Sequence, residues 1–331
     1  MKYAPVIIPT LNRYEHFRKC LESLEKCTGA EFTDVYIALD YPPSDKYVDG
    51  WKKNDEYLRD KEINNRFKSL TVFRRETNYF FSGKGNAKTA IEDATKKSDS
   101  YIFSEDDNVF SLNFLEFINK GLETFKDRSD VYAICGYSHY PIYDFKFDTN
   151  NYIFHNTDFS AWGYGIYKDK STQLTKEVNE DRILQKEFSW RKVPQIYRLY
   201  GSYRCLQSIQ CGFQYGDYWI HDGVVTIYNI IKGQYLVVPK DSKVRNIGWD
   251  NSGQSFSNGM PTKYQQHAKK QLSQTIDDKS TFDFEGDPMA YYEYNNSLAA
   301  INNVNNIKLP LLVYRALNHL LRYFVKKIIH Y

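Results

Sequence analysis

Five short apolar runs in the first 135 residues constrain this fold most, because helix-like stretches separate them. The runs are residues 4–8, 35–39, 70–73, 101–103 and 131–135. Each is too short for a buried helix, and their Val, Ile, Phe and Tyr content suits strands covered on both faces. Over residues 13–26, Phe17, Leu21 and Leu24 recur at helical spacing. Further helical stretches run over about 45–67 and 86–97 and onward from Leu112. This alternation predicts an α/β fold, a mainly parallel sheet with helices on both faces. At 331 residues the chain can hold one large domain of this kind or two small ones.

Residues 140–260 are less regular, rich in aromatics and Gly. They suggest one helix over about 217–232 and a strand over 235–238, closed by Pro239. Six of the twelve residues from 295 to 306 are Asn, a linker composition. Beyond it, Pro310 can open a helix. Lys308, Arg315, His319, Arg322, Lys326 and His330 would line one face of that helix, with Leu, Val, Phe and Ile covering the other. The net charge of +3 splits into +5 after Glu293, where no acid occurs, and −2 elsewhere. No basic stripe crosses the main body, so nucleic acid is a poor partner for it. The tail reads as an interfacial anchor on an anionic membrane, or as a terminal helix docked on the body. Five Cys with no metal-ligand spacing, and no apolar leader, suggest a reduced cytoplasmic protein.

The chemistry concentrates at Glu105-Asp106-Asp107, three consecutive carboxylates that directly follow the fourth apolar run. Adjacent like charges at a strand end need compensation. Hard oxygen donors suit Mn2+ or Mg2+, which also grip phosphate oxygens. Taken alone, the triplet is equally well a solvated acidic turn. Two more strand ends are polar: Pro9-Thr10-Leu11-Asn12-Arg13 and Asp40. Ligands bind at strand carboxyl ends in open α/β sheets. There Arg13 suits a phosphate, and Asp40 suits a base imide or a ribose hydroxyl. Structural roles are also open, with Asn12 as a helix N-cap and Asp40 as a turn residue. The loop 77–86, with Ser82, Gly83, Lys84 and Gly85, places glycine backbone and a cation before a helix, which suits a diphosphate. It is not a Walker A loop, and no dinucleotide fingerprint follows the first strand.

The order of these features resembles the GT-A class of nucleotide-sugar glycosyltransferases: a Pro-Thr-x-Asn-Arg strand end, an Asp closing strand two, an Asn/Gly-containing loop and an acidic motif. Glu-Asp-Asp in place of the commoner Asp-x-Asp resembles the N-acetylglucosaminyltransferase I type and related bacterial surface-polysaccharide enzymes. The segment 159–167, with Ser160, Trp162 and Gly163, is similar to a Ser-x-Trp-Gly-Trp-x-x-Trp segment of those enzymes. His221-Asp222, with Gly233, Pro239 and Asn246-Ile247-Gly248 beyond, resembles their Trp-Asp … Gly … Pro … Asn-Ile-Gly stretch. The likeness covers roughly residues 4–255.

This resemblance implies a Rossmann-like GT-A domain over 1–294, with a nucleotide-sugar-binding half (1–135) and an acceptor half (136–294). The linker 295–307 and the helix 308–331 would follow. It implies that Asp107 coordinates the metal, Asp106 binds ribose or a metal-bound water, and Glu105 bonds the donor sugar. Pro9, Thr10, Asn12, Arg13, Asp40, Lys84, Trp162 and Gly163 would complete the nucleotide-sugar site. Asp222 falls at the general base; His221 departs from the family's Trp, and Asp217 is the fallback. The implied activity is inverting, metal-dependent hexosyl or N-acetylhexosaminyl transfer from a UDP-sugar to a glycan or lipid-linked acceptor, on the inner face of a bacterial plasma membrane. A sugar-nucleotide pyrophosphorylase would share the sheet but carry a Gly-rich, Arg-containing loop after strand one. An inactive carbohydrate-binding module at a membrane is the non-enzymatic alternative.

Overall fold

Val6–Thr10 forms the central strand β1, and its side chains show why the flanking runs had to be apolar on both faces. Val6 and Ile8 enter one core and Ile7 the other, the period of two expected of a strand. The structure is a computed structural model and describes residues 2–80, 85–138, 152–155, 159–187, 220, 222–253, 276 and 284. Lys84, Asp217, His221, the Asn-rich linker and the basic helix 308–331 lie outside the described residues.

From the amino end the chain runs through α1 (Tyr14–Glu25), β2 (Asp34–Leu39), α2 (Val48–Ile63), β3 (Ser69–Arg74), α3 (Asn86–Ala94) and β4 (Ser100–Phe103). It continues with β5 (Asn108–Phe110), α4 (Phe114–Thr124), β6 (Val131–Cys135), β7 (Tyr152–His155) and β8 (Tyr164–Tyr167). Then come α5 (Lys168–Asn179), α6 (Ile183–Glu187), α7 (Asp222–Lys232), β9 (Tyr235–Pro239) and β10 (Val244–Asn246). Eight strands form one sheet in the order β3-β2-β1-β4-β8-β6-β9-β7. β3, β2, β1 and β4 pair in parallel, as do β6 and β9; β8 and β7 run antiparallel to their neighbours. The mainly parallel α/β architecture expected from the sequence is therefore present.

One core packs α1, α2 and α4 against one face through Phe17, Leu21, Leu24, Leu58, Phe114 and Phe117. The other packs α3, α5 and α7 through Ala90, Ala94, Leu174, Val178, Val224 and Ile227. Removing a wholly buried side chain such as Leu21 would cost about 2–5 kcal/mol. Among the described residues no helix is long and apolar enough to cross a membrane. Cys20, Cys27 and Cys135 are buried free thiols.

Several elements differ from the sequence expectation, β7, α5 and α6 being among those not foreseen. The helical stretch after the acidic triplet is preceded by β5, which pairs antiparallel with β10 in a separate two-stranded ribbon. The 45–67 stretch resolves into a short 3-10 turn, Asp45–Tyr47, and α2, which ends at Ile63. The strand β8 went unforeseen because Tyr-Gly-Ile-Tyr holds a single aliphatic residue. Its Gly165 is required by packing: a Cβ there would overlap the Ile118 side chain of α4.

Candidate active site

Parallel pairing of β2, β1 and β4 brings their carboxyl ends to one edge of the sheet. Thr10 closes β1, Asp40 follows β2, and the triplet Glu105-Asp106-Asp107 follows β4. The antiparallel β8 delivers a fourth segment to the same edge, because its first residue, Tyr164, pairs with the last residues of both β4 and β6. Trp162 and Gly163 therefore stand beside the triplet's strand. Asp222 opens α7, and its charge acts on Glu105, Cys135 and Tyr164, which places it at that edge too.

The triplet is compensated from within the protein. Arg13, at the cap position of α1, sets Nη2 2.6 Å from Asp106 Oδ1 and 2.7 Å from Asp107 Oδ2. Thr10 donates its hydroxyl to Asp106 Oδ2 at 2.8 Å and accepts from Asn54 Nδ2 at 3.2 Å. Asn246 Nδ2 donates to Asp107 Oδ1 at 2.6 Å and to Asn108 Oδ1 at 3.1 Å. The backbone agrees: Asn246 pairs with Asn108 across the ribbon, and the Ile247 N–H donates to Asp107 O at 2.8 Å. A Cβ on Gly248 would overlap Asp107 Oδ2, so the chain crosses there on bare backbone. His16 Nε2 lies 3.1 Å from Asp250 Oδ2 and ties the same loop back to α1.

Asp106 and Asp107 are buried, only 8% and 6% exposed. Strand-end carboxylates are ordinarily solvated, so this burial departs from what the sequence suggested. Two carboxylates against one guanidinium leave the site net negative, and the proton equilibria reflect it. Burial opposes the charge on Arg13, yet Asp106 and Asp107 outweigh it and hold the guanidinium ionised. Burial lifts the Asp107 carboxyl above the usual range, against the pull of Arg13. Glu105 is pushed up to about 8, by burial first and then by Asp107, Asp222 and Asp106, with Arg13 offsetting part of the effect. At neutral pH Glu105 is therefore largely a protonated acid, able to donate a hydrogen bond.

Asp40 is committed to shaping a loop. Its Oδ1 accepts the Tyr41 N–H at 2.9 Å and the Tyr79 N–H at 2.7 Å. Its Oδ2 accepts the Phe80 N–H at 3.0 Å and Asn78 Nδ2 at 3.2 Å. It knots the loops that follow β2 and β3. Beside it, Arg75 lies over the Phe73 and Tyr79 rings and bonds Asn86 Oδ1 at 3.0 Å and Thr89 Oγ1 at 2.7 Å. Asn12 does not cap α1; the cap position is Arg13, with no side-chain cap bond. Pro9 lies within β1, partly exposed. Trp162 packs edge-on to Tyr137 (4.7 Å) and Trp249 (6.0 Å). Gly163 takes φ +73°, and its backbone carbonyl accepts the Gly136 N–H at 2.7 Å.

The structure thus gathers Thr10, Arg13, Asp40, Glu105, Asp106, Asp107, Trp162, Gly163 and Asp222 along one edge. Sequence reasoning did not assign roles to Asn246, Gly248, Arg75, Asn54 or the His16–Asp250 pair. Of these, Asn246 and Gly248 carried a signal, as part of the Asn-Ile-Gly stretch. Among the described residues no group of three or more His, Cys, Asp or Glu side chains converges as a metal site. The donor set still fits Mn2+ or Mg2+. Such ions are held by one or two carboxylates, with phosphate and water completing the shell, and the Asp106–Asp107 pair already binds a cation, the Arg13 guanidinium.

No family model and no curated protein matches the sequence. Among solved structures, the 1–349 portion of S. aureus TarS aligns over 73% of this chain and 59% of its own, at 15% identity and a TM-score of 0.38. The same portion in complex with UDP-GlcNAc aligns over 40% and 33%, at 20% identity and 0.29. The mannosyltransferase PcManGT from Pyrobaculum calidifontis, in complex with GDP-Man and Mn2+, aligns over 53% and 46%, at 14% identity and 0.34. The chain thus spans between a third and three-fifths of the length of these structures.

Proposed function

We propose that this chain is a glycosyltransferase that moves a sugar from a nucleotide-sugar, most simply a UDP-sugar, to a hydroxyl of a glycan or lipid-linked glycan, with inversion at the anomeric carbon. The observation that carries the reading is the convergence of Arg13, the buried Asp106–Asp107 pair and Glu105 at the carboxyl ends of adjacent strands, with Asp222 at the start of α7 beside them. A buried carboxylate pair that can hold a divalent cation, with an arginine beside it, fits the phosphates of a nucleotide. A carboxylic acid held neutral nearby fits a sugar hydroxyl. A further carboxylate at a helix start suits proton abstraction.

In this reading Asp107, with Asp106 beside it, would hold Mn2+ or Mg2+. When bound, the ion offsets charge on the departing nucleoside diphosphate. Arg13 binds phosphate oxygens, and Asp40 shapes the loop that receives the nucleoside. Lys84, on that loop, supplies a second cation. Glu105 donates a hydrogen bond to the donor sugar, with Trp162 and Gly163 walling the pocket. Asp222 takes the proton from the acceptor hydroxyl while the new carbon–oxygen bond forms opposite the breaking bond to the diphosphate. One displacement inverts the anomeric centre. Residues 1–294 would form this enzyme, and the basic helix 308–331 would hold it on the anionic inner face of a membrane, near a lipid-linked acceptor.

The test is hydrolysis of UDP-, GDP- and TDP-sugars in Mn2+, with calorimetry of UDP. Asp107→Ala should abolish Mn2+-dependent UDP binding. Undiminished binding in that variant would remove the site assignment, and inertness to every donor would remove the transferase.

A further inference from the structure

All four oxygens of the Asp106 and Asp107 carboxylates already have a polar partner within 2.8 Å. Arg13 Nη2 takes Asp106 Oδ1 at 2.6 Å and Asp107 Oδ2 at 2.7 Å. Thr10 takes the other oxygen of Asp106 at 2.8 Å, and Asn246 takes the other oxygen of Asp107 at 2.6 Å. Two of these three side chains are neutral and built in: Thr10 ends β1, and Asn246 is paired in the ribbon with Asn108. Arg13 is different. It is charged, it sits on the connection between β1 and α1, and its guanidinium is roofed by glycines, with Cβ positions on Gly248 and Gly253 falling 3.0 and 3.2 Å from Nη1.

From this geometry we propose that Arg13 is a resident counter-ion: a divalent cation can take Asp106 and Asp107 only by displacing the guanidinium, which then pairs with the diphosphate of the arriving donor. The inference rests on the nucleotide-sugar reading for its second half only. The first half follows from charge and space. Two carboxylates face one positive charge, so a divalent ion satisfies them better than Arg13 does. The oxygens it needs are the ones Arg13 holds. A displaced arginine that found no new anion would lose its pairing in a low-dielectric crevice, so displacement by metal alone is opposed. A diphosphate removes that opposition. Metal and nucleotide therefore bind with positive coupling, and the coupling is reciprocal.

The test is a titration of Mn2+, read as free Mn2+ by electron paramagnetic resonance, on the full chain with and without UDP. The wild-type protein should bind Mn2+ weakly alone and about tenfold more tightly with saturating UDP, in the usual range for coupled sites. Arg13→Gln removes the competing charge. It should bind Mn2+ about tenfold more tightly than wild type without UDP, and UDP should improve it less than it improves wild type, because only the direct contact of phosphate oxygens with the ion then remains. If Arg13→Gln gains no Mn2+ affinity, the resident counter-ion is overturned whatever UDP does. If it gains affinity but UDP binds neither protein, the counter-ion stands while the transfer to a diphosphate falls, and the nucleotide-sugar reading with it. Should Arg13→Gln fail to fold, Arg13→Met removes the charge with an apolar side chain and must show the same changes. Wild-type Mn2+ affinity and coupling in Arg13→Met would overturn the proposal.

Discussion

Asn246 donates its side-chain amide to Asp107 Oδ1 at 2.6 Å across 139 positions of the chain, and the same side chain accepts the Gly248 N–H at 3.0 Å. One residue thus orients the proposed metal ligand and fixes the loop that crosses it. Partners of this kind commonly set ligand affinity by 10–100-fold. Asn246→Ala should weaken Mn2+-dependent UDP binding by about tenfold or more and cost about 1–3 kcal/mol of stability, since the buried Asp107 and Asn108 each lose a donor. Calorimetry and denaturant unfolding measure the two effects separately. Unchanged UDP affinity with lowered stability would reduce Asn246 to a packing role.

Asp222→Asn keeps the shape at the start of α7 and removes basicity. Turnover should fall about 100-fold or more with donor affinity nearly unchanged. Because the Asp222 charge helps hold the Glu105 proton, the same substitution should lower the Glu105 pKa, which NMR titration of the carboxyl carbon can follow. Full turnover in Asp222→Asn would move the base elsewhere, with Asp217 the next residue to test.

The raised pKa of Glu105 makes a prediction about pH. Its folded value of about 8 lies above the ordinary value of 4.5, so the fold favours the protonated acid. That contribution to stability is complete below 4.5 and is lost as pH rises toward 8, the folded state binding more protons than the unfolded one in between. Glu105→Gln, which stays neutral, should match wild type near pH 4.5 and exceed it in melting temperature near pH 8, with metal removed by chelation. A variant less stable than wild type at the higher pH would contradict a Glu105 held protonated by the fold.

Residues 308–331 can be tested independently of the site. Truncation before Lys308 should abolish sedimentation with anionic liposomes and leave hydrolysis of free donor intact. Arg315→Glu with Arg322→Glu should weaken liposome binding in a salt-dependent way, because surface attraction is screened over about 8 Å at physiological ionic strength. A truncated protein that still binds liposomes as strongly as the full chain would eliminate the anchor. Loss of melting temperature and activity on truncation, with liposomes irrelevant, would show a helix docked on the body.

The sheet was legible wherever strand and helix differ locally. The runs at 35–39 and 131–135 became β2 and β6 because continuous apolar character needs cover on both faces, and the run at 70–73, broken by Thr71, became the half-exposed edge strand β3. β8 was not legible: its place between β4 and β6 depends on Gly165 fitting under Ile118 and Leu122, a contact with α4 that no local pattern encodes. Asp40 was legible as a polar strand end. Its four accepted hydrogen bonds were not, since they come from residues 41 and 78–80, brought beside it by the β2–β3 pairing.

By itself, then, the sequence determined the strand–helix alternation, the parallel core and the identity of the acidic triplet, because hydrophobic period and strand-end polarity are properties of neighbours in the chain. Only the tertiary structure decided what the triplet becomes. A single guanidinium and the Asn246 amide hold Asp106 and Asp107, while burial and the neighbouring carboxylates push the Glu105 pKa up against the pull of Arg13. The fields that set those states come from Arg13, Asp222 and Asn246, up to 139 positions away. Electrostatic energy follows distance through space and loss of solvent, and neither is written in the order of residues.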